Sequence, residues 1–128
     1  MRIGHLNGLL IVAILLTSTA TLYAQRQQQD VAKLKADVRN AVGMIGGDKA
    51  KTQTYCQILD LGRQINQAVR EKDQKKARAL SQKLGQLGKQ LPEFILLSNI
   101  IEQVDLNSPN GREIALIIQS LNQSCGEE

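Results

Sequence analysis

The sequence predicts an all-α single domain, a bundle of four to five helices with one disulfide joining a helix to the C-terminus. Three observations predict it. Apolar residues recur at three- and four-residue steps from Val31 to Cys125, which lines them along one face of successive helices. The apolar–polar alternation expected of strands is missing. Cys56 and Cys125 are the only cysteines, an even pair downstream of a segment that reads as an export signal, and disulfides persist where exported chains go.

That segment comes first in the chain. Met1-Arg2 supplies a short positive start, Leu9 to Leu16 is an unbroken apolar run, and small residues follow at Thr17-Ser18-Thr19-Ala20 and at Ala24. This order of charge, apolar run and small residues is that of a signal peptide, so residues 1–24 are expected to be cleaved. The run is shorter than the roughly 20 residues that span a bilayer. Cleavage after Ala24 places Leu22 and Ala24 at the recognition positions and cleavage after Ala20 places the smaller Ser18 and Ala20 there, while the polar start at Gln25 favours the later position. No cysteine follows the run to accept a lipid. The expected location is periplasmic or secreted, with membrane contact through the signal segment before cleavage.

Cleavage removes His5, the only histidine. The mature chain then has no imidazole for a catalytic triad, a Cys-His pair, or a histidine metal or haem site. It has no glycine-rich phosphate loop and no carboxylate pair that stands out as acid and base. No enzyme and no cofactor are expected. The net charge of +4 falls by one with Arg2, a mild basic excess. Tryptophan is absent and the mature aromatics are Tyr55 and Phe94, so no nucleic-acid partner is expected.

The elements follow in order. Residues 25–29 are glutamine-rich and read as a flexible polar start to a bundle domain over 30–126. Asp30 can cap a first helix over about 30–45, with Val31, Leu34, Val38, Val42 and Ile45 on one face and Gly46-Gly47 ending it. A second helix covers about 50–71, with a seam at Tyr55, Ile58, Gly62, Ile65 and Val69. Thr54 to Gln57 fits a capping box, so the regular helix could start at Thr54. A third covers about 74–91, capped by Asp73, with Ala77, Leu80, Leu84, Leu87 and Leu91 inside. These two form an antiparallel hairpin. Pro92 opens a fourth helix over about 93–104. A turn at Asp105 to Pro109 leads to the last helix, which either a capping box at Asn110 to Glu113 or Ser108 with Pro109 can start. Its inner face is Ile114, Ile117, Ile118, Leu121 and Cys125.

A few groups could carry function. A Cys56–Cys125 bond would close a 69-residue span, worth about 4 kcal/mol in the chain-entropy model. It reads as a staple, since no Cys-x-x-Cys motif suggests redox work. Arg70, Lys72, Lys75, Lys76 and Arg78 cluster at the hairpin tip, interrupted by Glu71 and Asp73. They make either a solvated turn or a surface for an anionic partner, such as a membrane head group or an acidic protein. Phe94, Ile95, Leu97 and Ile101 are a candidate apolar interface, for a homodimer or an apolar ligand, unless the helix is buried all round. Gly62, Gly85 and Gly88 suggest close helix packing or a groove. Asp105 to Gly111 has oxygen ligands at alternate positions, as calcium requires, but Leu116 stands where the loop needs glutamate.

Thr54-Tyr55-Cys56-Gln57, the charged tip, Asn107-Ser108-Pro109-Asn110-Gly111 and the late Cys125 together resemble a group of small exported helical proteins of Gram-negative bacteria. That resemblance implies export and a helical fold, without an activity. The chain is also similar to small periplasmic acid-stress chaperones in being short, helical and held by one disulfide, and departs from them in being basic. The function expected is non-catalytic: binding a protein or envelope component, or a structural role. The alternative is a periplasmic stress chaperone or an apolar-ligand-binding bundle.

Overall fold

The computed structural model describes the backbone of residues 6–126, and the side chains of Thr21 and residues 25–126. Met1-Arg2, His5 and Glu127-Glu128 lie outside the described residues, as do the side chains of the apolar run and of Ala20 and Ala24. Five α-helices and no strand occur among the described residues: α1 (Leu6–Gly46), α2 (Lys49–Arg70), α3 (Gln74–Lys89), α4 (Pro92–Gln103) and α5 (Pro109–Gln123). Among them, no helix is long and apolar enough to cross a membrane.

The chain divides into two units, Met1–Leu34 and Lys35–Glu128. In the first, the backbone is already helical at Gln25 to Gln29, and these side chains are exposed. Asp30 therefore caps nothing; it lies inside α1. Glutamine and arginine are good helix formers and neither glycine nor proline interrupts them, so no local signal stops the helix here.

The second unit holds the core. Val38, Ala41 and Ile45 of α1 are buried, with Tyr55, Ile58, Leu61 and Ala68 of α2, Leu91, Leu97 and Ile100 around α4, and Ile114, Ile118 and Leu121 of α5. Each buried Leu or Ile contributes about 1.5–3 kcal/mol through surface removed from water. The α2–α3 hairpin is the most extensive helix pair, turned by Glu71, Lys72 and Asp73.

One expectation is corrected and two open alternatives are decided. The α2 seam passes through Leu61 and Ala68 rather than Gly62 and Val69, and Val69 is 62% exposed. A three–four step leaves adjacent positions equally eligible, and the packing partners choose between them. The helix does not start at Thr54: Asp48 is the N-cap, its carboxylate accepting from Lys51 N at 3.0 Å. Thr54 Oγ1 instead donates to Ala50 O within the helix. At α5, Ser108 is the N-cap, accepting from Gly111 N at 3.0 Å, with Pro109 in the first turn. Asn110 is thus already helical, and Glu113 is drawn away from any cap by Lys35 and Arg39.

Other caps match. Asp73 accepts from Lys76 N at 3.0 Å at the start of α3, and Pro92 opens α4. Leu91 lies beyond α3, as the 1% exposed residue that links it to α4. The glycines divide. A Cβ on Gly88 would meet the Phe94 ring at 3.6 Å, so α3 and α4 do approach closely there; around Gly62 and Gly85 there is open space, and close packing does not explain them.

Candidate functional site

The disulfide is formed: Cys56 and Cys125 are bonded at 2.03 Å, tying α2 to the segment just past α5. One residue away on α2, Tyr55 Oη donates to Asn122 Oδ1 at 2.6 Å. The Tyr55 ring also meets Phe94 edge-on, with centroids 6.4 Å apart. Burial pushes the Tyr55 phenol above its ordinary 10.0, because a phenolate would lose its hydration there.

Three ion pairs join helices among the described residues. Lys51 of α2 donates to Glu93 of α4, and Lys35 of α1 donates to Glu113 of α5, which Arg39 joins at 3.1 Å. Glu93 is buried, and its second oxygen has no hydrogen-bond partner. The Lys51 ammonium holds the Glu93 carboxyl below its ordinary value, helped by a backbone hydrogen bond and opposed by desolvation. Lys35, and then Arg39, do the same for Glu113. Sequence patterning offers no signal for Glu93, because its partner lies 42 residues away.

The five tip cations fall together at the hairpin end. Arg70 ends α2, Lys72 is in the turn, and Lys75, Lys76 and Arg78 lie in the first turns of α3; all are exposed. Among the described residues none of the five joins an ion pair, whereas Lys35, Arg39, Lys51 and Arg63 do. The two acids within the cluster are occupied by their own helices: Glu71 accepts from Gln67 Nε2 at 2.9 Å, and Asp73 caps α3. Lys72 adopts φ 58°, the left-handed conformation, which lets three residues reverse the chain.

The apolar group of α4 does not share one face. Leu97 is 2% exposed and belongs to the core with Ile100. At about 100° per residue, Phe94 and Ile101 flank that buried stripe on one side, Leu96 flanks it on the other, and Ile95 points away. Phe94 is half-buried, whereas Ile95 and Ile101 are exposed. Helix α4 is therefore neither buried all round nor a single flat interface.

A groove of about 570 Å³ opens beside the disulfide. Leu61, Leu87 and the two cysteines give it apolar surface, and Gln53, Gln57, Asp60, Gln64 and Lys83 give it polar walls. Asp60 is engaged by Gln64 Nε2 at 2.7 Å and Arg63 at 3.3 Å. Three glutamines are a hydrogen-bonding lining, not one selected for an apolar ligand. Their spacing along one face of α2 was visible in the sequence, but α3 and Cys125 supply the opposite wall.

In the turn from Asp105, whose spacing only partly fits a calcium loop, Asp105 Oδ1 accepts from Asn107 N at 2.9 Å, and Asp105 O accepts from Ser108 Oγ at 2.6 Å. These bonds make a capping turn. No group of three or more His, Cys, Asp or Glu is placed to hold a metal ion among the described residues. No family model, curated protein or solved structure matches this chain.

Proposed function

We propose that this protein is an exported, non-catalytic bundle that binds an anionic component of the cell envelope through the α2–α3 turn. The observation that carries the reading is the set of five exposed cations that join no ion pair among the described residues, at one end of the hairpin, beside two acids held by their own helices. Cations that serve solubility alone are usually scattered; here five converge on one turn, with two acids among them. The disulfide and the absence of a membrane-spanning helix among the described residues are compatible with an oxidising compartment.

The test is retention of the purified protein on isolated envelope fractions as ionic strength rises. Retention that falls with salt, and falls again when Lys75 and Lys76 are both replaced by glutamine, supports the reading. Salt-independent retention, or equal retention of the variant, overturns it.

A second reading, an acid-stress chaperone, is favoured by one observation. The Lys51–Glu93 pair ties α4 to α2, and Leu96 and Ile101 flank the stripe that α4 buries. Protonating Glu93 would loosen that tie and make more of the α4 apolar surface available.

A further inference from the structure

We infer that the α2–α3 turn docks on a bilayer surface rich in anionic lipid, with Val69 entering the headgroup layer among the cations; this rests on the anionic-partner reading above. Val69 is in the last turn of α2, one residue before Arg70, and its 62% exposure removes it from the core that Ala68 occupies. A single exposed valine is ordinary on a protein surface. Its setting is not: the five tip cations, none of which joins an ion pair among the described residues, all follow it closely in sequence, and Lys72 N donates to its carbonyl in the turn itself, at 3.1 Å.

Long basic side chains lay their methylene stems on apolar surface and send their charged heads to phosphate. An exposed apolar residue beside a run of lysine and arginine is therefore suited to the boundary between headgroups and acyl chains. An acidic protein is a poorer fit for the same tip. Protein interfaces select aromatic anchors and are depleted in lysine. The tip has three lysines, from Lys72 to Lys76, and no aromatic residue. Glu71 and Asp73 oppose the attraction, but each is fixed by a hydrogen bond within its own helix or cap, at 2.9 and 3.0 Å. Neither is paired with a tip cation side chain.

The test is co-sedimentation of the full chain with vesicles of phosphatidylcholine alone and of phosphatidylcholine mixed with phosphatidylglycerol. The readout is the ratio of the two partition coefficients compared between variants, because any contribution of the N-terminal segment, with its positive start, is the same in all of them. Each tip cation is expected to add about fivefold to that ratio, so the Lys75→Gln, Lys76→Gln double variant loses about 25-fold. The control, Lys83→Gln with Lys89→Gln, leaves it unchanged. Val69→Ser weakens binding to the mixed vesicles while keeping its salt dependence.

A phosphatidylglycerol preference shared equally by tip and control variants overturns the inference. So does a ratio of one for the unmodified chain. If that ratio is one but envelope retention still depends on Lys75 and Lys76, the bilayer is wrong and an acidic protein is the partner. If envelope retention fails as well, the anionic-partner reading falls with it.

Discussion

Tyr55 Oη donates to Asn122 Oδ1 at 2.6 Å, and the adjacent Cys56 is bonded to Cys125, three residues beyond Asn122. Helix α2 is thus pinned to the C-terminal segment twice at one level, once by a hydrogen bond and once covalently. The two links differ in kind. The hydrogen bond stabilises the folded state, whereas the disulfide acts chiefly by restricting the unfolded chain.

Tyr55→Phe is expected to cost about 0.5–1.5 kcal/mol, the net value of one hydrogen bond, since the exposed Asn122 can turn to water. Tyr55→Ala also removes a ring that is 3% exposed and packs on Phe94, and should cost about 3–5 kcal/mol. Urea unfolding with the disulfide intact measures both. The same side chain should titrate above 10.0 by its ultraviolet absorbance. Because its folded-state value is raised, its contribution is present below the ordinary phenol value and is lost as pH rises through the folded one.

Reduction should lower stability by up to about 4 kcal/mol in the chain-entropy model. Comparing urea midpoints with and without reductant, and with Cys56→Ser plus Cys125→Ser, checks this. Identical midpoints would show that the covalent tie adds nothing to the packing around it.

Acid should loosen the bundle. Glu93 and Glu113 both sit below their ordinary 4.5 in the folded state, so their stabilisation is present above that value and is lost as pH falls through the lowered ones. Protonation then weakens the α2–α4 and α1–α5 ties while the disulfide stays. Binding of an apolar dye at low pH, together with loss of the near-ultraviolet tyrosine signal, is the expected outcome. A native signal without dye binding would also remove the chaperone reading. Lys51→Met alone should cost about 1–2 kcal/mol, because it leaves a buried carboxylate without its cation. Adding Glu93→Met should recover most of that loss, which a double-mutant cycle measures.

Two glycines should respond in opposite directions. A Cβ on Gly111 would lie 2.0 Å from the Asp105 carbonyl oxygen, so Gly111→Ala must displace backbone, and a loss of at least about 2 kcal/mol is expected. Gly85→Ala meets open space inside α3 and should stabilise by about 1 kcal/mol from helix propensity. Thermal unfolding of the two variants side by side reads both signs.

Lys72 bears the one left-handed backbone among the described non-glycine residues. Lys72→Gly relieves the clash of its Cβ with the backbone, partly offset by a freer unfolded chain. A gain of about 0.5 kcal/mol is expected in urea unfolding. A loss instead would mean that the lysine side chain contributes to the turn.

Periodicity made the helices legible because helical geometry is local: Val38, Ile45, Ile58, Ile114 and Leu121 repeat at the spacing of one helix face, and all are buried. The caps at Asp73 and Ser108 were legible for the same reason, since a cap and the N–H it accepts are three residues apart. The tip cations could be named from the sequence, but not their lack of partners, which depends on where every acid ends up. Competing caps were harder. Thr54 and Asp48 both suit a helix start, and only the helical geometry of residues 49–53 excludes the later one.

The sequence by itself determined the helical class, the hairpin, the tip and the cysteine pair, all carried by spacing along the chain. Tertiary structure alone decided that Leu61 and Ala68, not Gly62 and Val69, face the core; that Glu93 is buried against Lys51; that α4 divides its apolar residues between core and solvent; and that a polar groove opens beside Cys56. The physical reason is common to all four. Each depends on which side chains distant segments bring together, and burial is a property of that meeting rather than of any one helix.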